Sequence, residues 1–115
     1  MQDYRDLPIE KRIADCDKVL KKFPTKVPII CVKNTKSQLP SLEKEKFLIP
    51  KDLLVIEFQA IIRQKINLDK TQGLYFLIEG KLMPKNDSLM RDVYKKNKGE
   101  DGFLYIVYAE ENITG

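Results

Sequence analysis

The side chains with the most reactive potential are two cysteines, Cys16 and Cys31. A thiol attacks as its thiolate, usually beside a histidine that takes the proton. The chain contains no histidine, so Cys–His catalysis is excluded. Cys16 falls on the apolar stripe of a predicted helix and Cys31 in a predicted strand, where both are expected to be inert. Two isolated cysteines without histidine do not make a zinc-site pattern, and no Walker-type loop or G-x-G-x-x-G occurs. The chain is therefore not expected to be an enzyme, and neither a metal nor a cofactor is expected. The chain as given ends in a glycine, Gly115. Its α-carboxylate could be activated and joined to an amine. Glycine lacks a Cβ, so a chain ending in it can thread a narrow cleft. A terminal glycine alone is a weak signal, since about 7% of ordinary residues are glycine.

The rest of the chain must position that end. Its 115 residues make one domain, large enough to fold without disulfides or metals. Lys and Arg total 21 against 17 Asp and Glu, a net +4. That excess is too mild to argue for nucleic acid by itself. No basic residue follows Lys98, whereas Glu100, Asp101, Glu110 and Glu111 do. The first six residues are polar, so no signal peptide is expected. The longest apolar runs are about six residues, against the roughly 20 that span a bilayer. A reducing cytosol with free thiols is the expected compartment.

Hydrophobic periodicity predicts the elements. Ile9, Ile13, Cys16, Leu20 and Phe23 recur at helical spacing over residues 8–23, with Pro8 at the start and Pro24 at the end. Residues 27–33 (VPIICVK) read as a strand, and Phe47 to Ile49 as a second. Their prolines, Pro28 and Pro50, predict a partly open sheet edge. A helix capped by Asp52 would bury Val55, Phe58, Ile62 and Ile66. A third strand at 74–78 turns at Glu79-Gly80-Lys81 into a short fourth that includes Leu82 and Met83. A helix capped by Asp87 or Ser88 runs to about Asn97, with Leu89 and Val93 facing in. Residues 103–108 (FLYIVY) are apolar throughout, which predicts a central strand covered on both faces. The order ββαββ(α)β matches an α+β fold, a β-grasp sheet wrapped on one helix. The leading helix has a natural place on the sheet's other face. The expected divisions are an N-terminal helical segment over 1–25, a β-grasp core over 26–108 and a flexible conjugation tail over 109–115.

Five segments carry a family resemblance. They are PIEKR at 8–12, VPIIC at 27–31, KFLIP at 46–50, DGFLY at 101–105 and Glu111-Asn112. In this order they resemble the signature segments of the autophagy-related ubiquitin-like modifiers, the family of the microtubule-associated protein light chains and the GABA-receptor-associated proteins. The resemblance covers nearly the whole chain. It implies a ubiquitin-like fold and conjugation of Gly115 to phosphatidylethanolamine. It implies E1-like and E2-like enzymes as partners, with a cysteine protease for processing and deconjugation. Tubulin is a further partner that the resemblance suggests for the N-terminal helix. The protein would be cytoplasmic when free and on the autophagosome membrane when lipidated. In place of the family's usual aromatic before the glycine, this chain has Thr114.

The resemblance also implies a groove for cargo receptors bearing an aromatic-x-x-aliphatic motif. Pocket one would comprise Asp15, Val19, Pro28, Ile30, Lys46, Leu48 and Phe103. Pocket two would comprise Phe47, Ile49, Pro50, Leu53, Phe58, Ile61 and Ile62. Physically, a strand with an unpaired edge can accept a peptide as an added strand, while flanking pockets select its side chains. The competing reading is plain core packing, which weighs most for Phe58, Ile62 and Phe103. Lys26, Lys44, Lys51, Arg63 and Lys65, with Lys46, would form a basic rim that steers acidic peptides. Solvated lysines are the plain alternative. A non-conjugated β-grasp scaffold that binds peptides or the cytoskeleton is the other functional class these residues allow.

Overall fold

Residues 3–82 and 85–110 are described by a computed structural model. A 3-10 turn, Tyr4–Asp6, precedes helix α1 (Ile9–Lys22). Pro8 stands at the N-cap, and its carbonyl accepts from the N–H groups of Lys11 and Arg12. Strand β1 (Lys26–Lys33) follows, then β2 (Lys46–Pro50), α2 (Val55–Lys65), β3 (Tyr75–Ile78), β4 (Lys81–Leu82), α3 (Met90–Asn97) and β5 (Leu104–Ala109). The sheet order is β2-β1-β5-β3-β4. β5 is central, parallel to β1 and antiparallel to β3, as its unbroken apolar run predicts. β2 pairs antiparallel with β1 and forms one edge.

Strand alternation divides β1 between two layers. Val27, Ile29 and Cys31 join the main core with Phe58 and Ile62 of α2 and Leu104, Ile106 and Tyr108 of β5. Ile30 turns the other way, into a smaller cluster with Cys16 of α1 and Phe103. The N-terminal helix thus packs on the opposite sheet face. Of its stripe, Cys16 is buried, Ile9 and Leu20 are half-buried, and Ile13 and Phe23 remain exposed. Gly102 permits this close seat. Its φ is +94°, and a Cβ there would come within 2.7 Å of Cys16 Sγ.

The predicted helix caps are not used. α2 starts at Val55, so Asp52 stands outside it, and Glu57 Oε1 instead accepts from the Leu54 N–H at 2.9 Å. α3 starts at Met90, past Asp87 and Ser88, with Met90 and Val93 as its buried residues and Leu89 at the N-cap. The physical reason lies between the helices, whose entries pair around a bridge of Leu54 and Leu89. Val55 N–H donates to the Ser88 carbonyl, Ile56 N–H to that of Asn86, and Met90 N–H to that of Leu53. Backbone carbonyls from a neighbouring segment satisfy the orphan donors that a side-chain cap would otherwise take. The β3–β4 turn is as predicted, with positive φ at Glu79 and Gly80. The proposed fourth-strand residue Met83 lies outside the described residues.

Candidate functional site

The edge strand β2 divides its backbone groups between the sheet and the outside. Cys31 N–H donates to the Glu45 carbonyl at 2.7 Å, and the register continues with Ile29 opposite Phe47 and Val27 opposite Ile49. Hydrogen-bonded pairs alternate in an antiparallel ladder. Glu45, Phe47 and Ile49 therefore spend their backbone groups on β1, while Lys46 and Leu48 turn theirs outward. The Pro50 carbonyl accepts from Leu53 N–H at 3.2 Å, closing the strand's end. No described strand pairs with this outer edge.

Side-chain parity sorts the candidate residues onto two faces. Leu48 lies opposite Pro28 and Lys46 opposite Ile30, so these four share the α1 face. Asp15 and Val19 of α1 are half-buried beside them. Pro28 and Ile30 are buried, and Leu48 is 39% exposed. Phe103 is buried, edge-on to the ring of Tyr4 with centroids 5.4 Å apart. Tyr4 was not among the residues singled out from the sequence. An aromatic five positions before the first residue of α1 was the available signal.

The other face carries Phe47 and Ile49 towards α2. A cavity of about 610 Å³ opens along this edge, lined by Phe47, Leu48, Ile49 and Ile61 together with Glu43, Lys44, Lys46 and Lys65. Phe47 and Ile61 are half-buried and Leu53 packs against the core, while Pro50 is exposed. Phe58 and Ile62 are fully buried. Phe58 backs the pocket, its ring 5.7 Å from that of Phe47 and 5.4 Å from that of Phe76. Of the basic rim, Lys44, Lys46 and Lys65 reach this cavity. Lys26 is half-buried opposite Pro50, and Lys51 is exposed in the turn after β2. Arg63 is engaged elsewhere. Its guanidinium donates to the Gln72 carbonyl at 2.7 Å and the Asp69 carbonyl at 3.5 Å, holding the loop after α2.

A second cavity of about 460 Å³ lies on the α1 face, among Arg5, Val32, Leu42, Glu45, Tyr105 and Val107. None of the sequence-predicted site residues lines it. Glu45 is held above the usual carboxylate range by burial and by the nearby Asp3. Both cysteines are free and buried. Burial pushes the Cys16 thiol up to about 11 and the Cys31 thiol higher still, which suppresses thiolate formation at neutral pH. Among the described residues no group of three or more His, Cys, Asp or Glu could hold a metal ion, and no helix is long and apolar enough to cross a membrane. Glu111, Asn112, Thr114 and Gly115 lie outside the described residues.

Comparison with known proteins gives a consistent answer. The family model described as autophagy protein Atg8, ubiquitin-like, matches residues 11–115. Autophagy-related protein 8 of Candida glabrata is 39% identical over 110 residues, covering 96% of this chain and 92% of that protein. The protein of the same name from Schizosaccharomyces pombe is 37% identical over 110 residues, covering 96% and 90%. The crystal structure of Trypanosoma brucei ATG8 superposes with a TM-score of 0.89 at 34% identity, covering 99% of this chain and 100% of that one. With its ubiquitin-like sheet, its added N-terminal helix and these relatives over nearly its full length, the chain belongs to the Atg8 family of ubiquitin-like autophagy proteins.

Proposed function

We propose that this autophagy protein is a modifier joined through Gly115 to phosphatidylethanolamine on autophagosomal membranes, where it recruits cargo receptors through the β2 edge. The observation that carries the recruiting role is the parity of that edge. In an extended peptide, residues three apart point to opposite sides. An aromatic-x-x-aliphatic segment added beside β2 would send one anchor to the α1 face and the other to the α2 face. Lys46 and Leu48 supply outward backbone groups for the added strand. Lys44, Lys46 and Lys65 would favour peptides with acidic flanks, mainly through encounter and orientation.

In this reading residues 1–25 cover the sheet, 26–108 form the ubiquitin-like core and 109–115 carry the attachment point. An E1-like and an E2-like enzyme activate and transfer the glycine carboxylate, and a cysteine protease processes or releases it. The free protein is cytosolic and the conjugate is membrane-bound.

Two experiments separate the parts of this proposal. Titration calorimetry with an aromatic-x-x-aliphatic peptide should show Leu48→Ala weakening binding by roughly fivefold, the worth of about 1 kcal/mol of apolar contact. Unchanged affinity removes the groove assignment. Incubation with the conjugation enzymes, ATP and phosphatidylethanolamine liposomes should give a lipidated band that Gly115→Ala abolishes. If no conjugate forms while a relative is modified, the non-conjugated scaffold is the correct class.

A further inference from the structure

Three side chains from separate segments converge on the α1 side of the groove. Tyr4 comes from the 3-10 turn, Asp15 from α1 and Lys46 from the edge strand. The Tyr4 hydroxyl donates to Asp15 Oδ2 at 2.9 Å. The Lys46 ammonium lies 3.9 Å from that same oxygen and 4.6 Å from the centre of the Tyr4 ring. Phe103 fixes the ring edge-on. Burial and the bond to Asp15 raise the Tyr4 hydroxyl well above the ordinary tyrosine range, so it stays a donor.

The arrangement directs Lys46 without saturating it. At 3.9 Å the contact with Asp15 is too long for a hydrogen bond, and the Lys46 side chain is 55% exposed. The ammonium rests over an aromatic face, which attracts it while leaving its N–H groups open to another acceptor. A lysine is otherwise long and mobile, and ordering it on binding costs entropy. Here part of that ordering exists before any peptide arrives.

We infer that Tyr4 is a positioning residue for the peptide groove, holding Lys46 ready to pair with an acidic side chain next to the peptide's aromatic anchor. This rests on the two-pocket reading above. The 3-10 turn thereby acquires a role in selecting ligands, and preference for an acidic flank depends on a residue outside both pockets.

The test compares two peptides that differ only in an Asp or an Ala beside the aromatic anchor. Calorimetry gives their affinity ratio for the wild type and for Tyr4→Leu, Tyr4→Phe and Lys46→Met. Tyr4→Leu keeps apolar bulk against Phe103 but removes the π face. It should cut the preference for the acidic peptide about threefold, the size of an exposed cation–π contact, and leave the neutral peptide unchanged. Tyr4→Phe should retain the preference. In the Lys46→Met background Tyr4→Leu should no longer alter it. In the unliganded wild type, the Lys46 Cε protons should show an upfield ring-current shift in NMR. Equal weakening of both peptides, an unchanged ratio, or absence of that shift overturns the inference. If Leu48→Ala affects neither peptide, the groove reading itself fails.

Discussion

Asp101 ties the N-terminal helix to the sheet through one carboxylate. It is 3% exposed and accepts from Arg12 Nη1 at 2.9 Å, from the Phe103 N–H at 2.9 Å and from the Tyr105 hydroxyl. Asp101→Ala would leave the buried Phe103 N–H and the Tyr105 hydroxyl without their acceptor, and urea denaturation should register a loss of about 2 kcal/mol. The sequence places Asp101 in a recognisable segment, but its partner is 89 residues away, beyond any local pattern. The two thiols were more legible, since each falls on an apolar face. Ellman's reagent should react with neither in the native protein and with both in denaturant. Rapid native labelling would contradict their burial.

At the scale of elements, the outward turn of the Leu48 backbone lets the proposed binding be tested apart from folding. Leu48→Pro removes an N–H that β1 does not use, and proline is tolerated on edge strands. Its urea midpoint should stay close to that of Leu48→Ala, while peptide binding should fall further. A collapse of stability would mean that the Leu48 N–H serves the β1 ladder. The seating of α1 gives a second prediction. Gly102→Ala forces a non-glycine residue to φ +94° and drives a methyl to 2.7 Å from Cys16 Sγ, a cost of about 2 kcal/mol or more. Adding Cys16→Ala should recover part of that loss, because the two sites share one contact. Element identities were readable because their apolar periods are strong. The starts of α2 and α3 were not, because their caps are main-chain carbonyls that any residue supplies.

Across the whole molecule, the absence of histidine and the raised thiols predict stability that varies little between pH 6 and 8. At alkaline pH the sign is set by tyrosine. Burial pushes Tyr94, Tyr105 and Tyr108 up to about 12 from an ordinary 10. The folded protein therefore holds protons that the unfolded chain has released, and stability must fall as pH rises from about 10 through 12. Guanidinium denaturation across that range measures the fall. A midpoint that rises over it would contradict the burial of these hydroxyls.

The sequence by itself determined the order of elements, the central place of the apolar strand at 103–108 and the segments that mark the family. Those features are local periodicities and short motifs, carried by neighbouring residues. Tertiary structure alone decided how the candidate residues divide. Pairing β1 with β2 at one register sends Lys46 and Leu48 to one face and Phe47 and Ile49 to the other, and a one-residue slip would reverse both. It also enclosed Phe58 and Ile62 behind Phe47, committed Arg63 to the loop after α2, and brought Tyr4 to Lys46 across 42 positions of chain. Such contacts follow from closing the sheet and seating a helix on each face, which no stretch of neighbouring residues encodes.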